Sequence, residues 1–179
     1  MLYSAEHTKH VMIRRQITTL QKQGYPVWII DRGKERFQEG GEYGHLTLPR
    51  HELRFFKKWI WKFLRPVAPG KAGELYWTMI KIIEEWWGSL DLASKTKGIE
   101  ADLFQAHDLW ACYAATRAAK HANQTVIYDA HEMASEQGNP KSFYNRFLKR
   151  LESRVIPKAD YVILPNEPRA RVYKEEFEL

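Results

Sequence analysis

Phe104-Gln105-Ala106-His107-Asp108 and Tyr128-Asp129-Ala130-His131-Glu132 decide the fold. Each closes a short apolar run, from Asp102 in the first case and Thr125 in the second, on a histidine–acid pair. A helical stretch follows each: an alanine-rich one over Leu109–His121, and one over residues 141–156. A strand that ends in polar groups and passes into a helix is the repeating unit of an open parallel α/β sheet. Ligands of such sheets bind outside the carboxyl ends of the strands. Two such pairs at neighbouring strand ends would therefore line one crevice.

Outward from these blocks the same alternation continues. Residues 9–23 read as a helix with Ile13, Ile17 and Leu20 on one face, stopped by Gly24. Tyr25-Pro26-Val27-Trp28-Ile29-Ile30 reads as a buried strand. Residues 31–49, with Gly33, Gly40, Gly41 and Gly44, read as a loop holding a short strand at His45–Leu48. Helices are expected over 50–65 and 72–87, a strand at Tyr161–Leu164, and a last helix over 168–177. The expected architecture is one Rossmann-like α/β domain over residues 1–179, its parallel sheet covered by helices on both faces. Only Met1–Tyr3 stands where a first strand would precede the first helix, so that strand is expected to be truncated.

Composition sets the outer limits. The 179 residues suffice for one core, and 44% hydrophobic with 28% charged is an ordinary globular balance. No apolar run reaches the length, about 18 residues, of a membrane span. The N-terminus has no basic segment followed by an apolar one, so no secretory signal is readable. Cys112 is alone and can form no intrachain disulfide. A cytoplasmic location follows as the expectation.

Three blocks in order resemble the N-terminal domain of GT-B-fold glycosyltransferases, in particular the retaining family-four type. They are Asp102-Leu103-Phe104-Gln105-Ala106-His107-Asp108, then Val126-Ile127-Tyr128-Asp129-Ala130-His131-Glu132, then Leu151-Glu152-Ser153-Arg154-Val155-Ile156-Pro157-Lys158-Ala159-Asp160-Tyr161-Val162-Ile163. Gly24-Tyr25-Pro26-Val27 is similar to the family's early Gly-Tyr-x-Val. Where many relatives carry Asp-x-Arg near the first helix, this chain has His10-Val11-Met12. The family's second domain, which holds the nucleotide-sugar, has no counterpart. Glu167 and Glu175 share the spacing of its Glu-x7-Glu motif, but two common residues at one separation carry little weight.

The resemblance implies the acceptor-binding half of an enzyme that moves a sugar from a nucleotide-sugar to a cell-surface glycan or glycolipid. It implies no cofactor, the nucleotide-sugar being a substrate. Alone the chain would be inactive, and a donor-domain partner chain or continuation would complete it. His131 and Glu132 are the expected catalytic residues, with His107, Asp108 and Asp129 on the acceptor. Imidazole both donates and accepts hydrogen bonds, and a carboxylate behind it makes it a proton acceptor. Asp108 equally suits a helix cap and Asp129 a loop brace. His107, Asp108, Asp129, His131, Glu132 and Glu136 could form a mixed nitrogen–oxygen metal site, but no histidines stand at i, i+4 and no cysteine pair helps, so no metal is expected. Cys112, inside an apolar helix, reads as packing. The alternative from another class is a non-catalytic binding or regulatory module that keeps the fold.

The net charge is +6, and the excess gathers between Arg50 and Lys71. At about 100° per residue, Leu53, Phe56, Trp59, Ile60, Phe63 and Leu64 share one face, while Arg50, Arg54, Lys57, Lys58, Lys62 and Arg65 gather on the other. That is the pattern of an interfacial helix on an anionic membrane; an ordinary surface helix with solvated lysines is the plainer reading. Trp61 falls among the basic residues, where a core helix would not need it. Arg54, Lys57, Lys58, Trp59, Trp61 and Lys62 are the expected membrane contacts, placing the protein at the inner face of the membrane. Nucleic acid is the runner-up partner: the positive balance allows it, but there is no recognised nucleic-acid module, and aromatic residues are not interleaved with basic ones on a strand platform.

Overall fold

The computed structural model describes residues 11–31, 43–47, 71–119, 124–137, 139 and 141–177. Helix α1 spans Val11–Lys22, strand β1 Val27–Asp31, strand β2 Tyr43–Thr47 and helix α2 Lys71–Thr96. Strand β3 (Leu103–Ala106), helix α3 (Leu109–Ala119) and strand β4 (Thr125–Asp129) follow. A short 3-10 turn at Ala134–Glu136 leads to helix α4 (Phe143–Val155), strand β5 (Tyr161–Ile163) and helix α5 (Glu167–Phe177). The expected first strand at Met1–Tyr3 and the expected helix over 50–65, with its six membrane contacts, lie outside the described residues.

All strand pairs are parallel. β1 pairs with β2, Val27 opposite Tyr43, and β3-β4-β5 form a second ladder, Phe104 opposite Val126 and Tyr128 opposite Val162. Side chains of a strand alternate between faces, and the core follows that rule. Val27 and Ile29 pack with Ile13 and Ile17 of α1. Ile30 joins Phe104, Ala106, Val126 and Tyr128 in the larger cluster, with residues of α2, α3, α4 and α5. Helices therefore cover both faces: α1 on one, the others on the opposite side.

The helices form where the sequence dictates ends and faces. α1 stops at Gly24, whose φ of 82° is a left-handed conformation that glycine adopts without strain. There the N–H groups of Gly24 and Tyr25 close back on the carbonyls of Gln21 and Leu20. α3 is buried almost all round, with Ala111, Ala114, Ala115 and Ala118 at 0–1% exposure, and packs on β3, β4, α2 and α4. Ser142 caps α4, its hydroxyl accepting from the Asn145 N–H at 3.1 Å. Asn166 does the same for α5 through the Arg169 N–H.

Two elements differ from their expected bounds. α2 runs on to Thr96 rather than stopping at residue 87. Gly88 is buried inside it, and Ser89, Leu92, Ala93 and Thr96 continue its buried face against the larger cluster and α3. Tertiary packing outweighs the roughly 1 kcal/mol a mid-helix glycine costs. The short strand expected at His45–Leu48 begins at Tyr43 and is fixed by its register with β1. No described helix is long and apolar enough to cross a membrane.

Candidate acceptor site

β3 and β4 are neighbours, so the residues that follow them emerge side by side. The His107 and His131 rings stack nearly parallel, 5.7 Å between centroids and 12° between planes. His107 Nδ1 stands 3.3 Å from Asp129 Oδ2. The same carboxylate oxygen accepts from the side-chain amides of Gln16 and Gln105, each at 3.1 Å. The two amides also meet, the Gln105 nitrogen donating to the Gln16 oxygen at 3.4 Å. The alternation of the strands explains the meeting. Phe104, Ala106, Val126 and Tyr128 face the large cluster, so Gln105 and Asp129 face α1, where Gln16 lies.

Burial differs sharply among these groups. His107 is 2% and Asp129 5% exposed, whereas His131 is half-buried. His131 is therefore the member of the cluster open to solvent, with His107 and Asp129 behind it. Burial alone would raise the Asp129 pKa, but the hydrogen bonds from His107 and Gln16 and the nearby charges of His107 and His131 outweigh it and hold the carboxyl at about 2. Asp129 is thus a carboxylate at any physiological pH.

The other expected site residues stand elsewhere. Asp108 caps α3, Oδ1 accepting from the Ala111 N–H at 2.7 Å. Glu132 is exposed and accepts from the Gln137 amide at 3.0 Å. Cys112 is fully buried, and desolvation pushes its thiol far up, which leaves it inert as a nucleophile. Gln16 and Gln105 escaped the sequence reading. Each looks like a solvated side chain on its own element, and nothing local to either segment links them.

His107, Asp129 and His131 each offer a ligand atom within 4.8 Å of the others, the one such group among the described residues. An ion there would compete with two amide donors already on Asp129 Oδ2. The arrangement is that of a hydrogen-bonding centre: an anionic carboxylate bracing imidazoles that can donate and accept. Two cavities are found elsewhere, the first reaching the cluster only at Gln105. One of about 420 Å³ separates β1 from β3 near their first residues, and one of about 1080 Å³ is lined by Tyr113, Arg117, Val126 and Lys158.

A parallel sheet covered on both faces, with a polar cluster at the carboxyl ends of two adjacent strands, defines a Rossmann-like α/β domain. Residues 10–178 match the family model described as Glycosyltransferase Family 4, and the chain belongs to that family. No curated protein matches the chain.

Proposed function

We propose that this chain is the acceptor-binding half of a retaining GT-B glycosyltransferase that takes its sugar from a nucleotide-sugar and delivers it to a glycan or glycolipid. The observation that carries this reading is the cluster at the β3 and β4 ends, where half-buried His131 stacks on His107 above the anionic Asp129. In the transfer, the bond from the anomeric carbon to the leaving diphosphate breaks and one from that carbon to an acceptor oxygen forms. The proton of the acceptor hydroxyl passes to the departing diphosphate, which has gained the electron pair of the broken bond. His131 is the group placed to hold that hydroxyl, and His107 with Asp129 fixes the ring behind it. Much of the rate in such a site comes from positioning and electrostatics rather than a strong base. The diphosphate and its countercharge belong to a donor-binding domain supplied by a partner chain or by further sequence.

The acceptor's source is proposed from charge. The stretch Arg50–Arg65 combines basic and aromatic residues, and α2 adds exposed Trp77, Trp86 and Trp87. Together these suit peripheral contact with an anionic cytoplasmic membrane face, where lipid-linked acceptors would be met.

Reconstitution with a donor domain tests the enzyme reading. Sugar transfer is expected with the wild-type chain. His131→Ala should reduce it about 100-fold, the usual scale for a positioned proton-handling group, at an unchanged thermal midpoint. Sound acceptor binding without transfer in any pairing would instead favour a non-catalytic binding module. Sedimentation with anionic and neutral vesicles tests the membrane part. Replacing Lys57, Lys58 and Lys62 by Glu should release the protein from anionic vesicles, and indifference of the wild type to lipid charge would end that proposal.

A further inference from the structure

The inward stripe of α4 is mixed in character. Asn145, Leu148, Glu152 and Val155 are its buried residues. Leu148 and Val155 belong to the large apolar cluster. Asn145, 4% exposed, and Glu152, 0% exposed, do not. Burying an amide and a carboxyl is costly unless their hydrogen bonds are met, and apart from the Ser142 hydroxyl on Asn145 Oδ1 these go to one short segment. Glu152 Oε1 accepts from the backbone N–H of Ala134 at 2.7 Å and of Ser135 at 3.4 Å. The Asn145 amide donates to the carbonyls of Ser135 and Gln137, each at 2.7 Å. Two side chains, two helical turns apart, thus hold a backbone segment at four points.

That segment is the one that carries His131. At its start, the Ala130 N–H donates to the Ile163 carbonyl of β5 at 2.9 Å. At its end stands the α4 clamp. Within it stand one turn bond, Glu136 N–H to the Met133 carbonyl at 3.1 Å, the Gln137–Glu132 side-chain bond, and Met133 buried in the large cluster. His131 and Glu132 therefore stand in a segment held by a strand-end tether, by buried Met133 and by two polar groups on α4.

We infer that Glu152 and Asn145 are positioning residues for His131: they grip the backbone behind it from α4 and so set its stacking on His107. Neither touches the crevice, so each acts through the segment and not on a ligand. Burial raises the Glu152 pKa while hydrogen bonds from Ser135 and Ala134 pull it back, in keeping with a carboxyl that serves these N–H groups and little else. The inference leans on the acceptor-site reading only for what His131 binds; how His131 is held is measurable without any substrate.

The experiment follows the ring signals of His107 and His131 by NMR in the full chain at one fixed pH. Glu152→Ala is expected to move and broaden the His131 ring signals and to leave those of His107 nearer their wild-type positions. Glu152→Gln should return the His131 signals toward wild type, because its amide oxygen can accept from the same Ala134 N–H. The control is Leu148→Ala, which loses core packing on the same helix face and leaves all four bonds to residues 134–137 in place. It should lower the thermal midpoint at least as far as Glu152→Ala yet leave the His131 signals in place. Unmoved His131 signals in Glu152→Ala, or equal movement in Leu148→Ala, would overturn the inference. If Glu152→Ala does not fold, Asn145→Ala, which removes the two carbonyl contacts, is read by the same signals against the same control. Loss of transfer in a reconstituted enzyme with normal His131 signals would count against the catalytic reading and not against the clamp.

Discussion

Asp129 and Glu152 are both buried carboxyls, yet their environments push them in opposite directions. Asp129 receives donors from three side chains, which overcome its desolvation and hold its pKa at about 2. A carboxyl depressed in the folded state contributes stability that is full above its unfolded value and fades as pH falls toward its folded one. The drop from the ordinary 3.8 to about 2 corresponds to about 2 kcal/mol. Acid titration between pH 4 and 2 should therefore destabilise the wild type by that order, and Asp129→Asn should lose this part of the pH dependence. Glu152 works the other way: burial raises its pKa, so its contribution is fully present below its unfolded value and is lost as pH rises through the folded one. A denaturant midpoint followed across pH 2 to 7 in both Asp129→Asn and Glu152→Gln separates the two slopes. The site was partly legible at this scale. The histidine–acid pairs after apolar runs pointed to His107 and His131, which the fold brings together, but their own acids Asp108 and Glu132 bond elsewhere and Asp129 stands against His107 instead. Gln16, Gln105, Asn145 and Glu152 earn their places through partners far off in sequence, and no local pattern encodes a partner.

Single elements show which local rules dominate. Asp108 stood open between acceptor contact and helix cap, and its 2.7 Å bond to the Ala111 N–H makes it the cap of α3. Asp108→Ala should destabilise the protein by about 1 kcal/mol while Asp108→Asn keeps most of that, which thermal melts can resolve. The elements with strong periodicity or strong punctuation were readable: α1 by its Ile13–Ile17 stripe and Gly24, β3 and β4 by apolar runs, α4 and α5 by their faces. Those set by long-range packing were readable in kind but not in extent. The continuation of α2 past Gly88 depends on the buried face it presents to α3, and β2 exists through its pairing with β1. A glycine in a window reads as a stop whether or not a neighbouring helix overrides it.

In the whole molecule, the described core falls into two parts. Ile13, Ile17, Val27 and Ile29 form a small cluster of their own, while a much larger one binds α2 through α5 to β3 and β4. Among the described residues β1 pairs only with β2, β3 pairs only with β4, and a cavity of about 420 Å³ lies between β1 and β3. Regions with few buried contacts open at lower free energy than the rest. Amide hydrogen exchange should accordingly find the β1 and α1 amides the faster class and those of α3 and β4 the slower. Uniform protection across both would show a single cooperative unit.

Gln16 rides on the smaller part, yet its amide ends on Asp129, which belongs to the larger. Each transient lift of α1 would therefore release one of the donors on Asp129 and loosen the brace behind the imidazoles. The lesser lobe then acts as a clock for the crevice: its opening rate limits how often that brace is broken and remade. A ligand seated on His131 and the polar floor beneath it would slow the clock without touching β1. Its signature would be delayed isotope uptake along a strand remote from any contact, appearing only when the ligand is bound.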